Sequence, residues 1–165
     1  MTTKEQETNR AKEQARAQLE SIVAMVKRLE HCRECDGKDC ELSDKDILEG
    51  QNLYWREGVT ATDADREAYH DEDAARDAIC EDPLSVEVRS AWTPVGDPME
   101  AEEYMILLCT GGPAVRIVGE LSGSEPDDAR IEYQGWFTPW QELTDTTSEE
   151  EAAMLAYARE FYFEC

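Results

Sequence analysis

At Leu84 the apolar residues of this chain change period, and that change restricts the fold more than any other feature. Before it they recur three and four apart: Ala15, Leu19, Ile22, Val26 and Leu29 line one face of Glu5 to Glu30, a stretch without proline or glycine. After it they alternate. Leu84, Val86 and Val88 are interleaved with Ser85, Glu87 and Arg89; Tyr104 to Cys109 is apolar at every position and reads as a strand covered on both faces; Val115, Ile117 and Leu121 alternate again, as do Ile131 and Tyr133. The spacing predicts one long amphipathic helix followed by four strands.

The connections decide how the strands pair. Pro94 to Pro98, Thr110-Gly111-Gly112-Pro113 and Ser122 to Asp128 are short and rich in turn residues, so consecutive strands should be antiparallel neighbours in a meander. Ser148 with Glu151 forms a capping-box pattern ahead of a final helix that would dock Met154, Leu155, Ala158, Phe161 and Tyr162. Between the first helix and the strands lie a short helix framed by Ser43 and Gly50, and an acidic helix whose inner face would be Ala64, Ala68, Ala75 and Ile79. The expected fold is α+β: a four-stranded antiparallel meander with a long N-terminal helix, an acidic middle helix and a C-terminal helix packed on it. One domain is expected over residues 1–165, comprising the long helix 1–31, an irregular cysteine-containing insertion 32–62, and the acidic helix, sheet and last helix over 63–165.

Charge narrows the function classes. Sixteen Lys and Arg stand against 39 Asp and Glu, a formal net charge of -23. Binding phosphate needs the opposite balance, so neither nucleic acid nor an anionic membrane is expected as a direct ligand, and a basic partner is favoured. The polar N-terminus and the absence of a long apolar run lead to the expectation of a cytoplasmic protein, in which the six cysteines are thiols or metal ligands rather than disulfides.

Four groups of residues invite a chemical reading. In HCRECDGKDC (31–40), Cys32, Cys35 and Cys40 have the spacing C-x2-C-x4-C and supply most of a tetrahedral zinc shell; His31 is awkward beside Cys32, and His70, Cys80 or Cys165 would complete it. The reading favoured by the sequence is free thiols in a loop, with no cofactor; structural zinc and redox sensing are the alternatives. Along the acidic helix, Asp63, Glu67 and Asp71 are four apart, as are Asp73, Asp77 and Glu81; like charges so placed cost helix stability, which favours a use such as imitating a nucleic-acid backbone over plain solubility. Trp136 and Trp140, in WFTPW, either cover the end of the core or anchor a partner, while Trp55 and Trp92 are expected inside. Cys109 before Thr110-Gly111-Gly112 reads as a hairpin turn rather than a nucleophile, because no histidine motif accompanies it, and no enzyme activity is expected.

The segments DPLSVEVRSAW, EEYMILLCTGGPAVRIVGEL, ARIEYQGWFTPW and YAREFYFEC, with AKEQARAQLESIVAMVKRLE at the start, resemble small acidic proteins of phages and prophages, similar in class to anti-CRISPR and antirestriction inhibitors. The resemblance implies host-defence inhibition: a non-enzymatic anti-CRISPR whose acidic surface mimics DNA and engages a basic surface of a CRISPR effector or another nucleic-acid-binding protein. The alternative is a zinc-stabilised adaptor or regulator of phage or host proteins. The long first helix could also pair with a second copy in a homodimer.

Overall fold

The computed structural model describes residues 2–163. Helix α1 (Thr3–Glu34) runs through the cysteine stretch as far as Glu34, so the irregular segment begins at Cys35 and not at Cys32. There follow α2 (Asp44–Glu49), α3 (Asp63–Tyr69), α4 (Glu72–Glu81), β1 (Ser85–Arg89), β2 (Glu103–Cys109), β3 (Ala114–Ser122), β4 (Glu125–Pro126), β5 (Arg130–Gln134), β6 (Gln141–Glu142) and α5 (Ser148–Ala158). The class is α+β with an open antiparallel sheet. It has six strands instead of four, in the order β1-β2-β3-β5-β6 with β4 hairpinned against the end of β3. The two additional strands, β4 and β6, are two residues long, too short for any hydrophobic period to register.

Alternation within the strands places the core on one face. Tyr104, Ile106 and Leu108 of β2, Val115 and Ile117 of β3, and Ile131 and Tyr133 of β5 are buried beneath α1 and α5. Met105 and Leu107 point the other way and are half-buried, so β2 is covered fully on one face only; an irregularity after Leu107 sets Cys109 opposite Val115 and packs it against the core. Long side chains shield the second face: Arg116 Nε donates to Glu132 at 2.8 Å while its guanidinium lies 4.0 Å from the centre of the Trp140 ring.

The α1 stripe is spent within the monomer. Ala11, Ala15, Leu19, Ile22, Val26 and Leu29 are all buried in the core together with Met154, Tyr157 and Ala158 of α5. That helix is capped by Thr147 with Glu150, one residue earlier than the Ser148–Glu151 pattern. The choice has a tertiary cause, since Glu150 also accepts from Arg16 of α1 at 2.8 Å. The Thr147 backbone N–H, and then Arg16, hold the Glu150 carboxyl below its ordinary value against the opposing effect of burial.

The acidic middle helix is two helices. Arg28, only 8% exposed, donates from Nε to Tyr69 O at 3.1 Å and from Nη2 to Ala68 O at 2.8 Å, taking the carbonyls at the end of α3. Asp71 then caps α4 by accepting from Ala74 N at 3.1 Å. The break turns Ala64 and Ala68 outward and buries Tyr69 in their place, while Ala75 and Ile79 face inward as expected. Replacing Arg28 by Met keeps the packing length but removes two hydrogen bonds from a charged donor, leaving Tyr69 O to the Cys32 thiol and Ala68 O to Asp71 N–H. It is expected to lower the free energy of unfolding by about 2–3 kcal/mol in urea titration, with helical content retained.

Candidate metal centre

His31 and Cys35 are four residues apart at the end of α1, so they share one face of the last turn. Cys35 is the residue at which the chain leaves the helix, with φ -131°, and its N–H still bonds His31 O at 2.9 Å. The next five residues double back. Asp36 Oδ1 accepts from Lys38 N at 3.0 Å, and Gly37 and Asp39 take positive φ values of 83° and 56°. This tight turn delivers Cys40 Sγ to 3.3 Å from His31 Nε2.

The fourth group comes from the break between α3 and α4. His70 caps α3, and its Nδ1 lies 2.7 Å from Arg66 O; a carbonyl can only accept, so Nδ1 carries a proton and Nε2 is the nitrogen whose lone pair the neutral ring offers to a metal. His70 Nε2 is the one side-chain polar atom among the described residues that is fully buried without a hydrogen-bond partner. Gly37 packs on this ring, where an added Cβ would come within 3.2 Å of His70 Cγ. The His31 and His70 rings lie 5.3 Å apart, with Tyr69 edge-on to both.

The cluster of His31, Cys35, Cys40 and His70 could hold a metal ion: one ligand atom from each lies within 4.8 Å of all the others. Bonds of about 2.0–2.3 Å to a tetrahedral ion place its ligands roughly 3.3–3.8 Å apart, so about an ångström of side-chain movement closes the shell. Asp36, Asp63, Glu67 and Asp71 share a shallow cleft with His70, where they outnumber the two cationic side chains, Lys38 and Arg66.

This set corrects the ligands expected from C-x2-C-x4-C. Cys32 is one position beyond His31 on the helix, turned by about 100°, and its thiol donates to Tyr69 O at 3.0 Å. Burial pushes that thiol up, with Arg28 opposing. The signal for His31 in the sequence is H-x3-C at the end of a helix, which makes it the partner of Cys35 on one helix face although it is the chain neighbour of Cys32. Cys80 is exposed on α4, Cys109 is half-buried on β2, and Cys165 lies outside the described residues. Both histidines belong to the cluster.

The other predicted residues divide between separate surfaces. Asp63 and Glu67 are exposed on α3, Asp73, Asp77 and Glu81 on α4, and Asp71 is the cap between them, so the first file of carboxylates bends where the helix breaks. Among the described residues none of these six has an ion pair; the neighbouring Arg33 and Arg76 are taken by Glu72 and Glu160. Trp136 is exposed beside Phe137 at the far end of the molecule, where Gly135 meets Glu7 of α1, whereas α3 meets α1 at Arg28. At 1.5 Å per residue the two contacts are roughly 30 Å apart, so the tryptophan is no part of the acidic surface. Trp140 is half-buried on Arg116, Trp55 is half-buried with Lys45 over its ring at 5.3 Å, and Trp92 is fully exposed instead of interior.

No family model matches the chain, no curated protein matches it, and no solved structure matches it.

Titration with Co2+, followed by its visible ligand-field and thiolate charge-transfer bands, is expected to show one tetrahedral site per chain. Cys40→Ser and His70→Ala should each weaken binding by more than about 100-fold, beyond the range of outer-shell changes. Cys32→Ser should leave affinity and spectrum unchanged.

Proposed function

We propose that this chain is a zinc-stapled, non-enzymatic binding protein that offers the acidic surface of α3 and α4 to a basic partner. The observation that carries the zinc half is the buried, unpartnered His70 Nε2 facing His31, Cys35 and Cys40. Two thiolates and two imidazoles suit zinc, and four protein ligands with no open position describe a structural rather than a catalytic ion. Such an ion would bind the loop after α1 to α3, a helix of seven residues that has little stability of its own.

The partner half is supported by the unpaired carboxylates Asp63, Glu67, Asp73, Asp77 and Glu81, in a protein of net charge -23. A surface of this kind suits the Lys- and Arg-lined groove of a nucleic-acid-binding protein, and the resemblance to small acidic phage proteins makes a bacterial defence effector, a CRISPR effector in particular, the partner we propose. Inhibition would follow from occupying that groove.

Two measurements separate the halves. Protein purified without chelator is expected to carry about one zinc per chain, and its removal by chelator should lower the thermal midpoint; full stability of zinc-free protein would refute the staple. In a pull-down from lysate containing CRISPR effectors, the wild type should retain an effector at low salt, lose it as salt rises, and lose it to competing DNA. Reversing the charge of Asp63, Glu67, Asp73, Asp77 and Glu81 should abolish retention without changing zinc content; undiminished retention would refute the acidic interface and leave the staple standing.

A further inference from the structure

Six of the eleven large apolar side chains exposed among the described residues fall in one short segment: Leu84, Val86, Val88, Trp92, Val95 and Met99. This concentration has a topological cause. β1 is the terminal strand of the sheet, its one substantial packing partner is β2, and every residue in it is at least partly exposed. Val86 pairs with Ile106 and Val88 with Tyr104, so the two valines lie on the helix-bearing face, yet they remain 38% and 39% exposed because no helix extends over them. Just before the strand Leu84 is 61% exposed, and three residues after it Trp92 is 103% exposed.

Natural edge strands are guarded by lysine, proline or an inward charge, and the inner positions of β1 carry none of these. What they carry is self-complementary. In an antiparallel pairing of two copies centred on Val88, Val88 meets its own counterpart once on the axis, while Glu87 meets Arg89 and Leu84 meets Trp92 twice each by symmetry. Glu87 and Arg89 pair with Met105 and Glu103 on the opposite face, so both ends of the new ion pair stand on the same side of the sheet. Glu87 has no ion pair among the described residues, and Arg89, bonded to Glu103, keeps most of its side chain in solvent. Moving the centre to Glu87 would set two carboxylates face to face, which disfavours that register.

We propose that β1 is a dimerisation edge at which two copies of this chain join their sheets, paired about Val88. A strand pair of five residues is small against the roughly 1,000 Å² that a specific interface buries, so the arm from Trp92 to Met99 must contribute its apolar side chains. The charge of -23 on each copy opposes association, and added salt should therefore strengthen this dimer while it weakens any contact with a basic partner. The inference is independent of the metal centre and of the acidic helices.

Sedimentation velocity over a wide concentration range tests it. The wild type is expected to shift from monomer to dimer with concentration, more readily at higher salt. Glu87→Arg and Arg89→Glu each set like charges opposite each other and should weaken dimerisation by roughly tenfold to hundredfold. An equimolar mixture of the two variants restores opposite charges at both symmetric contacts and should recover a dimer. Circular dichroism and zinc content equal to wild type would establish that each variant is folded. A wild type that stays monomeric at every concentration and salt, a dimer indifferent to both substitutions, or a mixture that fails to recover it would overturn the proposal.

Discussion

Helix α1 is the element on which the other parts depend. Its first three-quarters bury Ala11, Ala15, Leu19, Ile22 and Val26 against the sheet and α5, and its last two turns with the cap hold Arg28, His31 and Cys35. One apolar stripe and one polar constellation thus occupy the same rigid rod, about 48 Å long at 1.5 Å per residue. The position of α3 follows from that rod, because Arg28 and Cys32 both bind the Tyr69 carbonyl and Arg28 also binds the carbonyl of Ala68. No part of the α2–α3 region needs a large core of its own, and Ile47, Leu48 and Tyr69 supply a small one.

The chain manages its excess of acid locally. Thr2 with Glu5, Ser43 with Asp46, Thr62 with Asp65 and Thr147 with Glu150 are capping boxes, and Asp71 caps the remaining helix. Each box places a carboxylate where orphan N–H groups and the positive helix end receive it. Glu5, Asp65 and Glu150 are held below their ordinary values chiefly by the cap backbone N–H. Asp63, Glu67, Asp73, Asp77 and Glu81 on α3 and α4 have no ion pair among the described residues, which is why they, and not the total charge, are the group with a case for an external partner.

Period and turn chemistry made the layers legible. The stripe of α1, the alternation of β2, β3 and β5, and the Ser43–Gly50 frame of α2 could be read from residue types alone because burial follows the local period there. The split at His70 was hidden, since its causes are Arg28, 41 residues away from Tyr69 in sequence, and a cap at Asp71 that looks like one more acid in a row. The metal centre was half legible: Cys35 and Cys40 lie in the motif, but His31 required reading the motif as the end of a helix, and His70 is brought in by tertiary structure. Trp92 was misplaced because aromatic character alone does not say that a strand is at the edge.

The place of His70 in the chain gives the metal centre a topological weight beyond its four bonds. An ion shared by His31 and His70 would close a loop of about 40 residues, and by the chain-entropy model a cross-link of that span removes roughly 4 kcal/mol of freedom from the unfolded state. Gly37 at the near end and the α3–α4 junction at the far end would be tied at a single point. The segment with the least hydrophobic material would then owe its order to a knot in the chain's contour.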